Sequence, residues 1–218
     1  MDLLKHPFDI ATILLISALI PVLVVMGTSF LKLSIVLTMT RNALGLQQVP
    51  PNIAIYSLAL VLTAFIMAPV YFQISDNLKQ NPVSLEEPNT ITNINREIVA
   101  PYQQFLDKQT SPTEIRFFAD QAKKLWPAQY QDRVDPSSLA MVLPAFAVSQ
   151  IVSAFKISLM IYLPFIAIDL IVSNVLLALG MMMVSPVTIS LPLKLLLFVL
   201  ISGWEQLLGQ LVISYAHP

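Results

Sequence analysis

Four charged side chains stand inside an otherwise apolar C-terminal stretch: Lys156, Asp169, Lys194 and Glu205. Charges in such a setting can pair with one another, line an ion or solute path, or hold neighbouring chains together. An unpaired charge at the centre of a bilayer costs about 2.5–3.5 kcal/mol on insertion scales, so all four need partners or water. Asp169 and Lys194 are centred on nearly the same point of the chain as Lys156 and Glu205, close to Met181. A helical hairpin folded there would bring two opposite-charge pairs to matching depths. Coincidence, or pairing with other subunits, would give the same spacing. Lys32, in the N-terminal apolar stretch, is a fifth charge of this buried, assembly-related kind.

Little else in the sequence is reactive. His6 and His217 lie near the termini, and there is no cysteine. Disulfides, thiolate metal sites and thiol nucleophiles are thereby excluded. No HExxH, GxSxG, Walker loop or GxGxxG occurs. The expectation is a non-enzyme with no metal and no cofactor. A net charge of −1 gives no electrostatic grip on nucleic acid.

The elements that must carry these charges follow from composition. Of the residues 56% are hydrophobic and only 11% charged, too few charges to cover a soluble surface. The class expected is an all-α integral membrane protein. Ile10 to Leu31 is an uncharged run of 22 residues, as is Ile53 to Ile74. Each would make a helix of about 33 Å, enough for a hydrocarbon core of about 30 Å. Between them lies RNALGLQQVPPN, where Gly45 suits a helix end, Pro50-Pro51 blocks continuation and Asn52 can cap the next helix. The first run has one Lys against two Asp before it and no small-x-small site after it, so it is expected to be retained rather than cleaved as a signal.

Residues 75–138 carry seven basic and nine acidic residues and read as a polar helical insert. NPVSLEEPNTITN reads as a loop, and Arg96 to Lys108 as helical but limited by Pro101. In SPTEIRFFADQAKKLW, Ser111 and Glu114 form a capping box with Pro112 at the first position. Ile115, Phe118, Ala122 and Leu125 then share a face, expected to pack internally. Asp135-Pro136 opens the last region, an apolar hairpin over 139–218. The division expected is 1–74, an N-terminal hydrophobic hairpin; 75–138, the insert; and 139–218, the C-terminal hairpin. Lys32 and Arg41 favour a cytoplasmic first loop, though the long insert weakens charge as a guide to orientation.

The turn of the second hairpin is LGMMMVSPVTISLP, Leu179 to Pro192. Gly180, Pro186 and Pro192 are the expected break. Pro144 and Pro164 interrupt the ladder elsewhere, and their freed backbone groups need partners in protein or water. Ser149, Gln150, Ser153 and Ser158 can bond across helices. Met181, Met182 and Met183 are flexible thioethers that can fill a space of changing shape. Contributed by several subunits, they would make an apolar plug, and hydrophobic constrictions do gate pores. Plain core or lipid-facing methionines would have the same spacing.

Two stretches, FLKLSIVLTMTRNALGLQQVPPN (Phe30 to Asn52) and IYLPFIAIDLIVSNVLLALGMMMVSPVTISLPLKLLLFVLISGW (Ile161 to Trp204), resemble the FliP/SctR family of type III secretion export-apparatus proteins. The resemblance implies a pore-forming core subunit in a bacterial inner membrane that passes unfolded proteins. It implies a pentamer with SctS/FliQ-type and SctT/FliR-type subunits, next to an SctU/FlhB-type switch protein and the inner rod or needle. It makes the insert periplasmic and Met181, Met182 and Met183 a gasket around the closed channel. Much of such a subunit leaves the bilayer plane on assembly, which accounts for charges and prolines in nominal spans. Flagellar members carry a longer N-terminus with a cleavable signal; its lack here points to the injectisome branch, near SpaP-type members. Two rivals survive: a secondary transporter of small solutes, using the intramembrane charges and broken helices, and a scaffold whose pore is made by its partners.

Overall fold

The computed structural model describes residues 14, 17–18, 21–81 and 93–216. Among them every regular element is helical, as the composition requires. The order is α1 (Pro21–Gly27), α2 (Phe30–Ala43), α3 (Asn52–Gln80), a π-helical turn (Asn95–Val99) running into α4 (Ala100–Gln109), α5 (Pro112–Leu125), α6 (Ala128–Gln131), α7 (Leu139–Ala178), α8 (Pro186–Leu200) and α9 (Gly203–Ile213). α3, with 29 residues, and α7, with 40, are long and apolar enough to cross a membrane. The pairs α1–α2 and α8–α9 would each do so if one bent pair is one span. His6, His217, the start of the Ile10 to Leu31 run and most of NPVSLEEPNTITN lie outside the described residues.

The first apolar run is not one straight helix. It breaks at Thr28-Ser29, between α1 and α2. The Tyr102 hydroxyl donates to the Gly27 carbonyl at 2.8 Å, and any side chain at Gly27 would run into that hydroxyl. The Thr28 hydroxyl then accepts from the Phe30 N–H at 3.3 Å, starting α2 as an N-cap does. α2 ends where Gly45 takes a left-handed φ of +82°. Leu46 N–H bonds the Arg41 carbonyl and Gly45 N–H the Asn42 carbonyl, a Schellman closure. Asn52 does not cap α3. The Pro51 carbonyl accepts from Ala54 and Ile55, and the Asn52 side chain accepts from Arg41 instead.

The described residues form two compact units, one within 1–31 and 70–148 and the other within 32–69 and 149–218. The first unit has a core of Leu106, Val142 and Phe146, with the Phe105 and Phe146 rings 5.9 Å apart. Within it, Ser111 caps α5 through the Thr113 N–H at 3.3 Å. The buried stripe of α5 is Ala119 and Ala122, while Leu125 is 78% exposed, against the expected face. At 3.6 residues per turn, Leu125 lies about 120° round the helix from Ala119 and falls off the stripe. α7 begins at Leu139, with the Ser138 carbonyl accepting from Met141 and Val142, just after a turn in which Asp135 binds Ser137.

The second unit has its core at Ala43, Leu44, Phe165 and Phe198. Phe198 stacks edge-on against Trp204, with centroids 5.3 Å apart. Between these two residues the chain bends by 62° from α8 into α9, with Ser202 at φ 51°.

Candidate functional site

The methionine turn is built from the end of α7. Gly180 sits at φ +72°, a conformation in which a Cβ is penalised. Its N–H bonds the Leu177 carbonyl at 3.0 Å, and Met181 N–H reaches the Leu176 carbonyl at 2.9 Å. This is again a Schellman closure, and it satisfies α7 carbonyls that a helix end leaves open. The turn continues through Val184 N–H to the Met181 carbonyl, and Ser185-Pro186 starts α8 with proline at its first position. Met181, Met182 and Met183 are left outside both helices, 43%, 79% and 100% exposed. Pro186 thus bounds the turn together with Gly180. Pro192 does not: it lies inside α8, where its missing N–H leaves a gap in the ladder without ending the helix.

A polar clamp joins the two arms of this hairpin. Lys194 Nζ donates to Asp169 Oδ2 at 2.6 Å, and Ser190 Oγ donates to Asp169 Oδ1 at 2.6 Å. Lys194 also approaches the Ala43 carbonyl, at the end of α2, at 3.4 Å. Ser190 and Lys194 are four apart on α8, hence on one face, opposite a single carboxylate of α7. The Lys194 side chain is 7% exposed and that of Asp169 41%. Charge-assisted bonds of this length are the strong kind.

The remaining charges behave differently. Lys156 and Glu205 are both exposed, and no ion pair joins them among the described residues. The expectation that they are buried and paired assumed straight arms, but the bend at Ser202 takes Glu205 out of the line of α8. Lys32 is buried at 4% exposure. It donates to Ser214 Oγ at 2.8 Å and lies 4.4 Å from the centroid of the Tyr215 ring, a cation–π contact. Tyr215 in turn donates to Gln150 Oε1 at 2.6 Å.

Ser190, Ser214 and Tyr215 were not singled out by sequence reasoning. Ser190 was findable from its four-residue spacing to Lys194. Ser214 and Tyr215 were not, because Lys32 lies 182 residues from Ser214 and no periodicity spans that distance. The Ser158 hydroxyl is buried with no hydrogen-bond partner among the described residues. Among the described residues no cluster of three or more His, Cys, Asp or Glu could hold a metal ion.

The geometry is that of a clamped helical hairpin presenting three apolar, flexible side chains at its tip. Residues 13–211 match the model of the FliP family. The chain is 51% identical over 215 residues to Yop proteins translocation protein R of Yersinia pestis, covering 98% of this chain and 99% of that one. It is 48% identical over 209 residues to the harpin secretion protein HrcR of Erwinia amylovora, covering 96% of each. It is 41% identical over 217 residues to the surface presentation of antigens protein SpaP of Salmonella typhi, covering 96% of this chain and 97% of the relative. With a family match over nearly its whole length and relatives well above 30% identity, this chain is a member of the FliP family.

Proposed function

We propose that the protein is a pore subunit of a type III secretion export apparatus, with the methionine turn as the closable constriction. The observation that carries this reading is the turn itself. Three consecutive thioethers project from the tip of a hairpin whose arms are tied by Lys194, Asp169 and Ser190. Exposed on one chain, they are apolar surface that copies meeting around an axis would cover. Membership of the FliP family, and relatives named for translocation and secretion, support export of protein as the task.

In this reading the subunit is a non-enzyme, and energy comes from elsewhere in the machine. It sits in a bacterial inner membrane with residues 75–138 on the periplasmic side. It assembles as a pentamer with SctS/FliQ-type and SctT/FliR-type subunits, beside an SctU/FlhB-type protein and the rod or needle. Unfolded proteins are the cargo. Lys156 and Glu205, exposed on the single chain, are then available for contacts between subunits.

The test is the triple substitution of Met181, Met182 and Met183 by alanine in a secreting strain. Alanine removes most of the plug volume without adding charge. The expected result is leakage of ions and small solutes with secretion retained. A tight membrane in the variant would overturn the gasket and leave the scaffold reading. Altered uptake of one solute, without general leakage, would favour the transporter.

A further inference from the structure

The second unit carries six charged side chains among its described residues: Lys32, Arg41, Lys156, Asp169, Lys194 and Glu205. Lys32 and Arg41 are buried, and Asp169 is held by Lys194 and Ser190. That leaves one cation and one anion on the surface. Lys156 and Glu205 are both exposed, and neither joins an ion pair among the described residues. Their surroundings are not those of solvated charges. Lys156 stands on α7 among Val152, Phe155, Leu159 and Met160, all exposed and apolar. No other charge occurs on α7 before Asp169. Glu205 follows the exposed apolar Leu200, Ile201 and Trp204. A bilayer penalises a lone charge on such a face, and an opposite charge relieves it.

The outward face of α9 is polar, unlike that of a helix turned to lipid. Glu205 and Gly209 are four apart and share one row, and Gln206 and Gln210 make the next. All four are exposed, while Gly203 and Leu211 are buried on the other side. A Cβ at Gly209 would meet nothing within 4 Å, so the chain itself does not fill the space above it. Small residues that allow close approach, beside amides that bond across, are what helix contacts in membranes use. The 62° bend turns this face away from the line of α8, whose clamp runs to α7.

We propose that Lys156 of one copy pairs with Glu205 of the next, with α7 of the first lying on the polar face of α9 of the second. This rests on the assembly of copies proposed above and supplies the contact between them. A second copy is the partner whose charge matches: it brings a lone cation to a lone anion, each set in apolar surface. The two charges sit on different helices, so the contact joins unlike patches and repeats head to tail. Such contacts close into a ring when the rotation allows.

The chain has no cysteine, so two introduced thiols report without background. Chains bearing both Lys156→Cys and Glu205→Cys, in membranes of a secreting strain, are treated with a short bifunctional thiol reagent and run on denaturing gels. A ladder that passes the dimer is expected, with none from either single variant. Adding Gly209→Leu, whose side chain has open space in the single chain, should abolish the ladder. In cysteine-free chains bearing two different tags, Lys156→Glu and Glu205→Lys should each lower co-purification about tenfold, and the two together should restore it. Linking within one chain, a ladder that stops at the dimer, linked dimers from one cysteine, or a ladder unmoved by Gly209→Leu overturns the proposal. So does a double reversal without recovery, which decides alone if the cysteine chains do not accumulate. The methionine test reads leakage and this one reads contact. A ladder with a tight methionine variant keeps this pair and loses the gasket, and leakage without a ladder loses the pair.

Discussion

Among single residues, Lys194 has the most to hold. One ammonium serves Asp169, and with it Ser190, on the hairpin and also approaches the last carbonyl of α2. Removing one partner of a largely buried, charge-assisted bond leaves the other unsatisfied and costs about 2 kcal/mol. Asp169→Lys and Lys194→Asp should each lower the thermal midpoint of the purified chain, and each should abolish secretion. The double swap should recover part of both, measured by the same melts and by secreted protein. No recovery in either would mean that the contact does not act as a pair. Gly180 makes the second prediction at this scale. An added Cβ there meets open space, so Gly180→Ala carries only the left-handed backbone penalty of about 1 kcal/mol. Gly180→Asn should cost less, because asparagine tolerates that conformation. Equal melts for the glycine and alanine forms would show that the Schellman end is not kept in solution.

Among elements, the break between α1 and α2 depends on a residue far along the chain. Tyr102 on α4 occupies the Gly27 carbonyl. Burial pushes the Tyr102 phenol from 10.0 up to about 12. The folded state thus disfavours the phenolate. The stabilisation is whole below pH 10, where the unfolded chain ionises, and is lost as pH rises through about 12. Tyr102→Phe should cost about 1 kcal/mol at neutral pH, from the lost bond. Melts between pH 9 and 12 should fall more steeply for the tyrosine form than for the phenylalanine form. Parallel curves would mean that this hydroxyl does not hold the break. The bend between α8 and α9 is held more locally, by Phe198 against Trp204 across Ser202.

For the whole molecule, what could be read from the sequence divides by the range of the contact. The helical class followed from composition, and the hairpin turn from Gly180 and Ser185-Pro186, because helix ends are written in a few adjacent residues. Asp169 with Lys194 was legible because the arms of a helical hairpin pair residues at equal distance from the turn. Lys156 with Glu205 obeys the same rule on paper, yet the bend at Ser202 lies between the turn and Glu205 and cancels it. The break at Thr28-Ser29 was invisible, since the apolar run is unbroken and its cause, Tyr102, lies 75 residues away. The contact of Lys32 with Ser214 and Tyr215 was hidden for the same reason. Pro192 misled because proline in a helix reads as a stop, and here the helix continues past the gap it leaves in the ladder.

Met183 stands wholly in the open on the single chain, with Met182 nearly so. Thioethers in that position are within reach of peroxide, which turns them into sulfoxides. Three greasy tips would become three polar ones, unable to shed water against their like. In the pore proposed above, a free subunit is therefore chemically vulnerable at the very place where its copies would need to be driest, and shielding by neighbours would protect the proposed seal as well as form it.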